Sequence, residues 1–144
     1  HRRFCILSLM GRGSPAYPGL MAGLDVGGQC HGIAYRIAEA QIDEETRVLW
    51  SREMITPTYL PTYTEVQTPS GSVPAITFVV DQAQTKYQAT LTDQETAQMI
   101  AQGLGVFGRN LDYLNDLVRQ MRALDIVDEP LFALHALANA HAAP

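Results

Sequence analysis

Glu53 is the residue whose surroundings in the sequence best suit it to chemistry. Ile42, Thr46, Leu49 and Glu53 follow one another at i, i+4, i+7 and i+11, so all four fall within a narrow stripe of an α-helix. The stripe begins with Ile42 and Leu49, which are expected to face the core, and it ends on a carboxylate at the helix C-terminus. Asp43, Glu44 and Glu45 lie off the stripe and read as solvated charge. Burial and the negative end of the helix dipole both disfavour the ionised form of such a Glu. A carboxyl group in that position is suited to proton transfer near neutral pH. The other reading is a Glu at the edge of the stripe that reaches solvent or pairs with neighbouring Arg52.

The remaining candidates point to packing. Cys30 and His31 are adjacent in a strand-like run, where alternate residues point to opposite faces and cannot easily converge on a metal. His135 and His141 sit six apart in an Ala-rich helix and do not share a face. Gly27-Gly28 precedes no helix start, so it reads as a hairpin turn and not a phosphate cradle. The chain contains no G-x-S-x-G and no P-loop. Cys5 and Cys30 lie in strand-like runs and read as buried hydrophobes, not nucleophiles. Tyr59 and Tyr113 stand at element starts, where tyrosines more often pack than catalyse. The residues thus supply one acid/base candidate, with no nucleophile, metal or cofactor site.

The elements that must position Glu53 are strands first and helices last. Phe4–Leu7 is a short apolar run, followed by a Gly-, Ser- and Pro-rich loop from Gly11 to Gly19. Leu20–Leu24 and Cys30–Ile37 flank Asp25-Val26-Gly27-Gly28, which predicts a hairpin. A second hairpin should pair Tyr59–Val66 with Val73–Val80 across Pro69-Ser70-Gly71-Ser72, with Pro61 and Pro74 near the strand starts. Between the hairpins lies a helical stretch, roughly Ala38 to Glu53. Thr92-Asp93-Gln94-Glu95 is a capping box, and Gly103 and Gly105 can stop the helix it opens. Asn110 can cap the next helix, whose Leu111, Leu114, Leu117, Val118 and Met121 recur at helical steps. Asp128 and Pro130 start the last, with Leu131, Leu134 and Leu137 on one stripe. This order is an α+β pattern and not a regular βαβ alternation.

Composition narrows the function classes. With 144 residues, 47% hydrophobic and 17% charged, the chain fits a single domain with one core. No apolar run approaches the roughly 20 residues of a membrane span, and the start lacks the pattern of a secretory signal. A net charge of -5 argues against nucleic acid or an anionic membrane as partner. Two cysteines form at most one bridge, which excludes a disulfide scaffold and favours a reducing cytosol. The chain opens on His-Arg-Arg and runs straight into Phe4-Cys5-Ile6-Leu7, whereas a domain normally begins with a ragged polar end. That start reads either as a trimmed or tag-derived end, or as a domain whose beginning lies upstream.

Eight strings resemble the ChaC-type gamma-glutamylcyclotransferases in order. They are His1–Ile6, Arg12-Gly13-Ser14 with Pro18-Gly19-Leu20, Gly27-Gly28, Gly32–Arg36, Leu49–Met54, Tyr59–Thr62, Thr77–Asp81 and Gly108–Leu114. The resemblance implies a cytoplasmic enzyme that cleaves glutathione to 5-oxoproline and Cys-Gly, without cofactor. It implies a small mixed β-barrel flanked by helices over residues 1–144, with the N-terminal strand and a Gly-Tyr-Gly-Ser substrate loop upstream of the Arg-Arg-Phe string. It also implies that Glu53 is the catalytic acid, the residue the stripe argument reaches independently, and that Tyr59 and Tyr113 lie near the substrate. The substrate's own α-amine attacks its γ-carbonyl, so no protein nucleophile or metal is required. Two departures stand out: Pro57-Thr58 where many members carry small residues, and Val106 in place of a frequent Pro. A non-catalytic binding or regulatory domain on the same scaffold is the alternative.

Overall fold

The computed structural model describes residues 1–88 and 90–142. Its first strand, β1 (Arg2–Ser8), pairs antiparallel with β2 (Gly19–Leu24) from Arg2↔Leu24 to Ser8↔Gly19. The register shifts between Phe4 and Ile6, a bulge that explains why three consecutive residues are all buried. Phe4 packs into the main core with Leu20, whereas Cys5 and Ile6 join a second cluster around Val80. The loop joining β1 to β2 folds back tightly at Gly13. A Cβ there would lie 2.1 Å from the Ser8 carbonyl oxygen and 2.2 Å from the Gly19 nitrogen, so glycine is required.

This pairing overturns the expected first hairpin. Cys30–Ile37 forms no strand and is exposed except at Ile37, and β2 takes β1 as its partner instead. The turn chemistry is nevertheless present, since Gly27 and Gly28 adopt φ of 77° and 65°. What redirects the chain is Asp25, which is buried instead of standing at an exposed turn. Its carboxylate accepts hydrogen bonds from Val26 N–H (2.9 Å), Gln82 Nε2 (2.8 Å) and the Tyr87 hydroxyl (2.8 Å). Cys30 is accordingly exposed, contrary to expectation, while Cys5 is buried.

The second hairpin forms and runs longer than the sequence pattern suggests. β3 (Tyr59–Thr68) and β4 (Gly71–Val80) pair from Tyr59↔Val80 to Thr68↔Gly71 across Pro69-Ser70. β2 joins β4 in parallel at Leu24↔Val79, giving a mixed sheet of order β1-β2-β4-β3 that curls into a half-barrel. Residues 86–88 cover the outer edge of β1 through the Ile6↔Tyr87 bridge, with Leu7 N–H donating to Lys86 O and Gln88 N–H to Cys5 O, both at 2.8 Å.

The helices follow their sequence signals. After the 3₁₀ turn Glu39–Gln41 comes α1 (Ile42–Glu53). α2 (Asp93–Gln102) opens on the complete Thr92/Glu95 capping box and stops at Gly103. A short ribbon, β5 (Leu104–Gly105) with β6 (Gly108–Arg109), leads into α3 (Asn110–Ala123), and α4 (Glu129–Ala142) follows. α2, α3 and α4 pack Ile100, Leu114, Val118, Met121, Leu131 and Ala138 against Phe4 and Leu20.

Asn110 does not cap α3 as expected; it is the first residue of the helix and its side chain makes no capping bond. Instead its fully buried amide clamps β2. Its Oδ1 accepts from Leu20 N–H and its Nδ2 donates to Leu20 O, both at 2.7 Å. A side chain thus stands in for a neighbouring strand, and it joins α3 to the sheet.

Candidate active site

Glu53 ends α1 and Tyr59 begins β3, so five intervening residues bring a carboxylate and a phenol together. That connection is pinned by Thr58 N–H donating to Thr56 O (2.7 Å), by the Thr56–Thr58 hydroxyl pair (2.7 Å) and by Asp81 N–H donating to Thr58 O (2.9 Å). Both side chains line an open cleft of about 240 Å³. Its floor is Ala22, Gly23 and Leu24 of β2, with Phe78 of β4 and Arg2 of β1 completing the wall. Gly23 has no room for a side chain: a Cβ would meet Val80 Cγ2 at 2.4 Å and Ile6 Cδ1 at 2.8 Å.

The stripe identified in the sequence is right in its membership and wrong in its burial. Thr46, Leu49 and Glu53 are the half-buried residues of their face, but Ile42 is 46% exposed and α1 has no buried residue. The helix contacts the sheet through Trp50 instead, whose ring meets Phe78 edge-on at 6.0 Å. Glu53 is therefore a half-buried carboxylate in a cleft wall, not a group sunk in the core.

Tyr59 senses its neighbours. Burial pushes its hydroxyl above the ordinary tyrosine range, and the negative charge of Glu53 pushes it further. Tyr113, in the first turn of α3, stands one layer behind: it does not line the cleft, but the backbone N–H of Ala22, which does, favours the ionised form of its hydroxyl. Phe4 (5.7 Å between centroids) and the Arg12 guanidinium (5.7 Å from the ring centroid) hold the Tyr113 ring. Burial raises its pKa, offset in part by the Ala22 N–H and by the charges of Arg12 and Arg2.

A larger hollow, about 670 Å³, lies between residues 25–30 and the Thr62, Thr64 and Thr77 side of the hairpin, and Glu53 does not reach it. Among the described residues no three His, Cys, Asp or Glu side chains are grouped to hold a metal. Burial pushes the Cys5 thiol up to about 11, as expected of a thiol that packs and does not react. The arrangement around Glu53 can move a proton, since a carboxylate and a phenol line one cleft, with Arg2 also in its wall. Sequence reasoning missed Arg2 and Phe78. Both lie in strings that resemble the family, His1–Ile6 and Thr77–Asp81, and that was the available signal.

The chain is similar to several known proteins. A curated protein from Escherichia coli (strain K12), named glutathione-specific gamma-glutamylcyclotransferase, is 38% identical over 132 residues, covering 91% of this chain and 57% of its own. The chain thus spans little more than half the length of that relative. Two crystal structures of a yeast gamma-glutamyl cyclotransferase specific to glutathione superpose with TM-scores of 0.71 at 22% identity. They cover 97% and 99% of this chain and 83% and 86% of theirs, a likeness that concerns the fold. The family model described as ChaC-like protein matches residues 1–141, from just before β1 to the last turn of α4. By that match the chain belongs to the ChaC-like family.

Proposed function

We propose that the protein is a gamma-glutamylcyclotransferase that cleaves glutathione to 5-oxoproline and Cys-Gly, with Glu53 as its general base and acid. The observation that carries this reading is the half-buried Glu53 carboxylate in a cleft beside Tyr59, in a chain of the ChaC-like family. The bound γ-glutamyl arm folds so that its α-nitrogen approaches the γ-carbonyl carbon. Glu53 takes a proton from the α-ammonium, and the freed amine forms the new C–N bond of a five-membered ring. The tetrahedral intermediate collapses by breaking the old amide C–N bond: Glu53 gives its proton to the leaving nitrogen, and the second proton shed by the ring nitrogen passes to the same amine, which departs as the ammonium of Cys-Gly. One carboxyl group is restored at the end of the cycle, so no cofactor enters the balance.

Tyr59 lines the same cleft as Glu53 and is assigned to substrate contact there. Tyr113 is assigned to the wall behind Ala22, where it fixes the floor on which the substrate rests. The cytoplasm, reducing enough to keep Cys5 and Cys30 as thiols, is the proposed location.

Glu53→Gln in the full-length protein tests the assignment. The variant keeps size and hydrogen bonding but cannot accept a proton, so 5-oxoproline release should fall by at least about a hundredfold while the thermal midpoint is unchanged. Turnover near the wild-type rate would remove Glu53 from the mechanism. Binding of glutathione without any turnover by the wild-type protein would favour a regulatory domain.

A further inference from the structure

Two protons must leave the substrate's α-nitrogen in the proposed reaction, and the Glu53 carboxylate holds one at a time. The α-ammonium carries three protons, and the nitrogen of the finished ring carries one. Glu53 takes the first before the amine attacks, so it is already protonated when the tetrahedral intermediate forms. The ring nitrogen of that intermediate still bears two protons and a positive charge. In that state it is a better leaving group than the amide nitrogen of Cys-Gly, and the intermediate falls back to the starting amide. The second proton must therefore move before the old C–N bond can break, and a group other than Glu53 must carry it.

The side chains that line the cleft leave one choice for that group. Arg2 is permanently charged and has donors only. Apart from Glu53 and Tyr59, the other lining residues are glycine or carry hydrocarbon side chains. A phenol accepts with its oxygen while it donates its own hydrogen, so it can pass a proton between two nitrogens without ionising. Tyr59 suits that task. It is fixed at the start of β3 by its pairing with Val80, and its side chain packs against the Cys5, Ile6 and Val80 cluster. Burial and the charge of Glu53 both keep its hydroxyl protonated, and so ready to donate.

We propose that the Tyr59 hydroxyl relays the second proton, accepting it from the ring nitrogen while giving its own hydrogen to the leaving nitrogen. One N–H bond is lost at the ring and one is gained at the leaving nitrogen. On the phenol oxygen one O–H bond forms as another breaks, and no charge stays there. The Cys-Gly nitrogen is now the better leaving group, the old C–N bond breaks, and the proton on Glu53 completes the ammonium of Cys-Gly. This assignment rests on the cyclotransferase reading and adds a second catalytic residue to it.

Tyr59→Phe in the full-length protein tests the relay, because it removes one oxygen and leaves the ring in place. Its kcat for 5-oxoproline release should fall about a hundredfold, as for a lost proton transfer, while KM for glutathione stays within about threefold. Imidazole is small enough for an open cleft and both accepts and donates a proton. At saturating glutathione it should raise kcat of Tyr59→Phe by about tenfold, and that of the wild type by less than about twofold. That increase does not depend on how much of the variant is folded. A kcat for Tyr59→Phe near the wild-type value would mean that water carries the proton. A higher KM at unchanged kcat would make Tyr59 a binding contact, and a lost kcat that imidazole does not raise would make it a positioning residue. Each of these results would overturn the relay and leave Glu53 standing. No release of 5-oxoproline by the wild type would overturn the cyclotransferase reading and the relay together.

Discussion

At the residue scale, polar groups that face inward hold the framework around the cleft. Asn110 is the clearest case, because a single amide satisfies both the N–H and the C=O of Leu20. Truncation removes two hydrogen bonds and strands two buried backbone groups, each of which costs about 1–3 kcal/mol. Asn110→Ala should therefore destabilise the protein by about 2–6 kcal/mol, and urea unfolding would measure it. A loss below about 0.5 kcal/mol would mean that water replaces the amide. An Asn at the start of a helical pattern reads as a cap from sequence. Its actual partner lies 90 residues earlier in the chain, beyond the reach of any local pattern.

At the element scale, α1 delivers Glu53 yet contributes few contacts to the core. It has no buried residue, and its ring contact with the sheet is Trp50 on Phe78. Helical periodicity correctly grouped Thr46, Leu49 and Glu53 on one face, but periodicity does not state what packs against that face. Trp50→Ala should consequently separate stability from activity. The thermal midpoint should fall by only about 2–4 °C, whereas kcat/KM for 5-oxoproline release should fall about ten- to a hundredfold as Glu53 loses its position. Equal sensitivity of both quantities would show that α1 is a structural element of the core. The β3–β4 hairpin and the α2 capping box were legible beforehand because turn and cap chemistry is local.

At the scale of the whole molecule, Asp25 ties the sheet to the segment that covers its edge. Burial pushes its carboxyl upward, but hydrogen bonds from Gln82, Tyr87 and Val26 and the nearby Arg3 guanidinium (3.6 Å) outweigh that effect and hold it below the ordinary value. A carboxylate whose folded pKa is depressed stabilises the fold fully above the unfolded value, and that stability is lost as pH falls through the folded value. Wild-type stability should hold at neutral pH and decline below about pH 4. Asp25→Asn should be less stable at pH 7 and show a shallower acid decline. Some decline should persist, because Asp81 and Glu95 are depressed in the same direction. Parallel curves for the two proteins, followed by thermal unfolding from pH 7 to 3, would remove Asp25 as a source of acid sensitivity.

The sequence by itself determined the α+β class, the family, the long hairpin, the helices with their stops, and the short connection that sets Glu53 near Tyr59. Each depends on residues close together in the chain, or on strings met in order along it. Tertiary structure alone decided that β2 pairs with β1 and not with residues 30–37, that Asn110 clamps a strand, and that Arg2 and Phe78 come to line the same cleft as Glu53. The reason is physical. Local patterns encode which side of an element is apolar and where the chain turns, whereas the choice of partner follows from which distant groups can satisfy a buried carboxylate, amide or guanidinium.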